Sequence, residues 1–230
     1  IVDTAVGRAF ARAPVQQQQG RIDVYKLYWA ADTGAFAPQV ILEEAGVSYE
    51  RCVVDMAQGE EMAAAVLAVN PRGQIPALQL DDGSVVPESA AIVLHIAECH
   101  PEAGLLPDAG SSERAALYRW LFFAAANLYE GVLRLYYSDR YTADPTQVDA
   151  VQAAARSYVD DMWSLVADAI GEGPFFLGQN YSVLDPYLLM LTNWPEDPVA
   201  LFAAHPGLER LCVAVRARPA VARIWDQHFA

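Results

Sequence analysis

Asn70-Pro71-Arg72-Gly73-Gln74-Ile75-Pro76-Ala77-Leu78 is the stretch that decides the fold, read with Pro87-Glu88-Ser89-Ala90-Ala91-Ile92 shortly after it. A proline at the entrance of a strand cannot donate a ladder hydrogen bond, so the chain must turn there. An Ile75-Pro76 bond in the cis form would leave the main-chain N–H and C=O of Ile75 facing outward. An exposed edge of this kind pairs with an extended peptide. Twelve residues after Pro76, Glu88 and Ser89 open a helix. The free N–H groups and positive end of a helix dipole suit a carboxylate, and the Ser89 hydroxyl adds a donor. Glu88 can accept from an ammonium. Together these groups match an α-amino acid head attached to a short peptide. Read alone, the Glu88-Ser89 pair is better accounted for as a plain helix cap.

Upstream, Val24-Tyr25-Lys26-Leu27-Tyr28-Trp29 reads as a buried strand and Ala30 to Gly34 as a turn. Pro38 falls in the first turn of a helix that runs to Ala45, and Gly46 stops it. Val47 to Val54 reads as a second strand, which completes a βαβ unit with parallel strands. Residues Asp55 to Val69 are helix-prone but irregular. Ala77 to Leu80 and Ser84 to Val86 flank Asp82-Gly83 as a hairpin that Pro87 ends. Glu88 to Cys99 reads as a helix. The order is βαβ followed by ββα.

The composition changes after His100. Residues 101–110 hold two Pro and two Gly and read as a linker. Beyond it only helices are expected. The first is a long one from Ser111 or Ser112 to Ser138, with an apolar stripe at Leu117, Trp120, Leu121, Ala124 and Leu128. A second spans Thr146 to Ile170, and Gly171 to Gly178 is a loop. Ser182-Val183-Leu184-Asp185 is a capping box with Asp in place of Glu. Two short helices, Gly207 to Ala217 and Ala220 to Phe229, close the chain. The expected organisation is residues 1–21 as a disordered extension or expression remnant, 22–100 as an α/β domain, 101–110 as linker, and 111–230 as an all-α helical bundle.

The 230 residues carry a formal net charge of -14 and are 54% hydrophobic. Such acidity disfavours nucleic-acid and anionic-membrane partners. No run of about 18 uncharged apolar residues suggests a transmembrane helix. Cys52, Cys99 and Cys212 form no CxxC and have no histidine at ligand spacing. Reduced, mostly buried thiols in a cytoplasmic protein are expected. His95, His100, His205 and His228 share no metal spacing, and no metal site is assigned.

The Asn-Pro-x-Gly-x-Ile-Pro segment and the Glu88-Ser89 pair resemble the glutathione site of the glutathione transferase superfamily. The resemblance covers the chain from Val24 onward and extends to the Ser182–Asp185 box. It implies a thioredoxin-like N-terminal domain, a helical C-terminal domain and a homodimer. It further implies that Ile75 pairs by main chain with the cysteinyl unit of glutathione, that Pro76 is the cis-proline shaping the site, and that Glu88 and Ser89 hold the γ-glutamyl end. Gln74 flanks the motif and is placed with them.

Glutathione transfer needs a thiolate, yet a free thiol is only a few per cent ionised near neutral pH. The stretch Lys26 to Pro38 looks most like the bacterial beta-type subfamily, whose Cys and Ser are replaced here by Gly34 and Ala35. Thr33 is then the first candidate for the thiolate donor, against its alternative as a turn or cap residue, and Tyr28 is the second. Strand alternation lets at most one of Tyr28 and Trp29 face the site. Tyr129 stands where beta-type relatives carry a site histidine. With Leu133 and Tyr136 on one helical face, it is expected to line an electrophile pocket, or else to be interdomain core. Phe36 and Trp194 are further candidates for that pocket. The functions implied are a glutathione transferase acting on a small apolar electrophile, a non-catalytic glutathione or ligand binder on the same fold, and a glutathione-dependent lyase, isomerase or reductase.

Overall fold

The computed structural model describes residues 24–55 and 60–229; the expected extension at residues 1–21 lies outside them. Four strands, β1 (Tyr25–Trp29), β2 (Tyr49–Val53), β3 (Ala77–Gln79) and β4 (Val85–Pro87), form one sheet in the order β2-β1-β3-β4. β1 runs parallel to β2 and antiparallel to β3, and β4 is antiparallel to β3. This is the βαβ–ββα arrangement read from the sequence. Pro87 closes β4 rather than following it, opposite Ala77.

Three helices complete this half: α1 (Phe36–Ala45), α2 (Glu60–Val69) and α3 (Ser89–Cys99). α1 ends as expected, with Gly46 in the left-handed region at φ 66° and its N–H returned to the Glu43 and Leu42 carbonyls. Every residue from Phe36 to Leu42 is buried. The four large apolar ones, Phe36, Val40, Ile41 and Leu42, are fully so. At roughly 1.5–3 kcal/mol for each such side chain, this helix is a main source of cohesion.

The helical half contains α4 (Ser112–Phe123), α5 (Glu130–Tyr136), α6 (Val148–Ala169), α7 (Leu184–Leu191), α8 (Pro198–Ala204), α9 (Pro206–Arg216) and α10 (Pro219–Phe229). Ser111 caps α4 by accepting from the Arg114 N–H at 3.0 Å. The long helix expected to reach Ser138 is interrupted. A π-helical segment, Ala124–Tyr129, separates α4 from α5, and α5 stops at Tyr136. The helix α8 was missed, although Asp197 caps it through the Ala200 N–H at 2.9 Å and Pro198 occupies its first position.

The Ser182–Asp185 box forms. Asp185 is fully buried and accepts from Ser182 N at 2.7 Å, Ser182 Oγ at 3.1 Å and Phe176 N at 2.7 Å. Burial pushes its carboxyl up to about 6, against the pull of those donors. The cysteines depart from expectation: Cys212 is buried, but Cys52 is half-buried and Cys99 exposed. Among the described residues no single helix is long and apolar enough to cross a membrane.

The halves meet over α1. Arg218 grips Glu44 with two bonds of 2.6 and 2.8 Å, and Arg223 reaches Glu43 at 3.0 Å. Beside them, Trp29 Nε1 donates to His228 Nε2 at 2.9 Å, and the His228 ring packs edge-on to Phe36. Burial, aided by the Arg51 cation, lowers the His228 pKa to about 4. An unfolded histidine titrates near 6.5, so between these values the unfolded chain binds the extra proton. The stabilisation is therefore complete above about pH 6.5 and is lost as the pH falls toward about 4, by about 3 kcal/mol at most. Asp185, held up at about 6, contributes the opposite slope over most of this window, so the test is a difference: by urea unfolding His228→Gln should lose stability less steeply than the parent as the pH falls from about 6.5 to about 4, and equal slopes in the two would rule His228 out.

Candidate functional site

A cleft of about 810 Å³ opens between the two halves. Its floor comes from the decisive segment. The Ile75-Pro76 bond is cis. No hydrogen bond found among the described residues engages the main chain of Ile75, so its edge is free to pair with an extended ligand. The loop ahead of it is braced by Asn70, a buried residue whose amide donates to Gln74 O at 2.7 Å and accepts from Arg72 N at 3.1 Å. Gly73 makes the turn at φ 64°.

At one end of the cleft stands the start of α3. Glu88 has φ 70° and ψ 109°, a conformation that costs a non-glycine residue about 1–3 kcal/mol and that clusters at ligand sites. Its exposed carboxylate pairs with Arg72 at 3.2 Å. Ser89 Oγ lies 3.0 Å from Tyr187 Oη, so a hydroxyl of the helical half backs the α3 N-terminus. Burial pushes the Tyr187 phenol up, which keeps it protonated.

The opposite wall comes from the helical half: Tyr129, Leu133, Tyr136, Tyr137 and Trp194 face Thr33 and Asp32. Trp194 Nε1 donates to Asp32 Oδ1 at 2.8 Å, and Tyr136 Oη donates to the Trp194 carbonyl. The Tyr129 and Trp194 rings lie 5.1 Å apart between centroids. Tyr129 reaches the start of α1, where the Gly34 main chain offsets part of the rise in its phenol pKa that burial causes. A Cβ placed on Gly34 would lie only 2.7 Å from Tyr129 Oη and 3.2 Å from Pro76 Cδ.

The cleft thus brings together Gln74, Ile75, Pro76, Glu88, Ser89, Thr33, Tyr129, Leu133 and Tyr136 from the sequence candidates. Two candidates lie elsewhere. Phe36 is fully buried under α10, against Trp225 and Phe229, because the first turn of α1 aims it into the interdomain core. Tyr28 sits mid-sheet between Cys52 and Ala77 and does not reach the cleft. Thr33 lines the cleft, but its hydroxyl donates to Ala30 O at 2.8 Å and accepts from Ala35 N at 3.2 Å. That is the turn-residue alternative, and it commits the proton. Asn70, Asp32, Arg140 and Tyr187 were not read as site residues. For Asn70 a signal existed, since Asn before Pro-x-Gly commonly braces its own turn. No cysteine lines the cleft.

Residues 37–99 match the family model described as glutathione S-transferase, N-terminal domain. A bacterial glutathione S-transferase, BphK, solved as a ternary complex, is 30% identical; the match covers 88% of this chain and 98% of that one, with a TM-score of 0.74. The chain belongs to the glutathione S-transferase superfamily, with a thioredoxin-like domain followed by a helical one. A glutathione transferase homologue from Sulfitobacter, solved with bound glutathione, superposes with a TM-score of 0.82 at 27% identity, over 89% of this chain and 98% of that one. Glutathione S-transferase GstA of Escherichia coli O157:H7 is 28% identical over 170 residues, 74% of this chain and 81% of its own length.

Replacing Asn70 by Ala removes both braces of the 70–74 loop from a buried position. The expected loss is about 1–3 kcal/mol of stability, measured by thermal or urea unfolding. An unchanged midpoint would mean the amide does not hold the loop.

Proposed function

We propose that this protein binds glutathione in the interdomain cleft, stabilises its thiolate and adds the sulfur to a small, apolar electrophile. The observation that carries the reading is the convergence on one cleft of the free main-chain edge at Ile75, the α3 N-terminus with Ser89, and the start of α1. Glu88 accepts from the γ-glutamyl ammonium. The unpaired N–H groups at the start of α3 and the Ser89 hydroxyl take the adjoining carboxylate. The cysteinyl unit pairs with Ile75, which carries its side chain toward Gly34 and Pro76. Gln74 flanks the peptide.

The thiol proton leaves to solvent at the open mouth. The sulfur lone pair then forms a C–S bond, and either a leaving group departs with its electron pair or the neighbouring atom takes a proton. Tyr129, Leu133, Tyr136 and Trp194 supply the apolar, aromatic wall for the electrophile. Because no protein thiol lines the cleft, glutathione itself supplies the sulfur nucleophile. A homodimer in the cytoplasm completes the reading, the first on family resemblance and the second on three cysteines that stand free of disulfides.

Calorimetry with glutathione and turnover of an activated aryl chloride test the proposal together. Ser89→Ala should weaken binding by about 5–30-fold, the equivalent of about 1–2 kcal/mol. A parent protein that takes up no glutathione at millimolar concentration would overturn the reading. Binding without turnover would favour the non-catalytic alternative.

A further inference from the structure

The Thr33 hydroxyl already donates to Ala30 O, so the thiol calls for another donor. The point where a cysteinyl side chain beside Ile75 would arrive is framed by Gly34, Pro76 and Tyr129. A Cβ on residue 34 would fall 2.7 Å from Tyr129 Oη and 3.4 Å from Tyr129 Cε1. The phenol hydroxyl therefore fills the space that a side chain at residue 34 would occupy, at the entrance to α1. Among the described residues no acceptor takes the phenolic proton.

The backbone aims the ring there. Tyr129 is the last residue of the π-helical segment Ala124–Tyr129. Each π turn adds a residue to the hydrogen-bonded loop and rotates the helix beyond it, and such segments recur at functional sites. Trp194 packs on the ring and is itself tied to Asp32. Burial pushes the Tyr129 phenol up to about 12, with Tyr137 and the Glu88 charge adding to the rise, so it is a protonated donor and not a base at neutral pH.

We infer that Tyr129, supplied by the helical half, is the catalytic hydroxyl that donates to the sulfur of the bound thiol in place of any residue of the thioredoxin-like half. The inference rests on the glutathione-binding reading above. The thiol loses its proton to water, and Tyr129 Oη–H donates to the resulting thiolate. The hydroxyl lies at the entrance to α1, so the dipole of that helix adds to the bond. As the C–S bond forms, the sulfur loses its charge and the hydrogen bond relaxes.

Tyr129→Phe keeps the ring and its packing on Trp194 and removes only the hydroxyl. With calorimetry for binding and ultraviolet thiolate absorbance for ionisation, its glutathione affinity should stay within about threefold of the parent. The pKa of the bound thiol should rise by about 1–2 units, the size of one charge-assisted hydrogen bond. Turnover at neutral pH should fall about 10–100-fold and recover as the pH passes the raised thiol pKa. A purely structural role would not move the thiol titration. Gly34→Ala, whose methyl displaces the hydroxyl, should shift the thiol in the same sense, and the double variant should shift it no further than either alone. An unchanged bound-thiol pKa in Tyr129→Phe, with binding intact, would overturn the inference and leave the binding reading standing. Absence of glutathione binding in the parent would instead overturn both.

Discussion

Everything in this molecule is arranged around a helix buried from both sides. From Phe36 to Leu42, α1 exposes no residue. One side packs on α3, the other under α7 and α10. A helix so enclosed cannot shift without disturbing both halves, since interiors packed at crystal-like density do not deform smoothly. The Arg218–Glu44 and Arg223–Glu43 pairs fasten its last turn to the helical half. With its far end held this way, the start of α1 is fixed in the cleft.

That constraint explains which parts of the structure were readable from local sequence. The βαβ unit, the hairpin and the α3 start each depend on residues a few positions apart, such as Gly46 closing α1 or Asp82-Gly83 turning the hairpin. The cis-proline segment and the Glu88-Ser89 pair belong to the same class, and they led directly to one side of the cleft. Asp197-Pro198 carried an equally local signal for α8, and the short length of that helix hid it.

The wall across from them was harder to read, for a physical reason. Phe36 and Thr33 flank the same turn, yet one goes into the core and the other onto the cleft, and only the burial of α1 decides which. Whether the Thr33 hydroxyl is available depends on its bond to Ala30 O, a matter of turn geometry rather than residue type. Tyr129 contacts Gly34 across 95 positions of chain, from the end of a π segment that breaks the helical periodicity leading up to it from Leu117. No periodic pattern marks where such a segment falls.

The proximity of Gly34 and Tyr129 bears on how a site of the proposed kind would do without a side chain where a nucleophile-activating one would stand. A donor on residue 34 itself would move with the turn that carries it. A donor from the helical half is held by its own packing, against Trp194 and the Asp32 bond, and reaches into the vacated volume. Such an arrangement places the hydroxyl only when the two halves are docked, because neither Gly34 nor Tyr129 forms the group alone. The docking, in turn, is what buries α1. In this chain the stability of the domain interface and the geometry of the proposed chemistry are therefore the same quantity: a substitution that loosens α10 from α1, such as loss of the Arg218 grip on Glu44, should degrade the Tyr129 position before it unfolds either half.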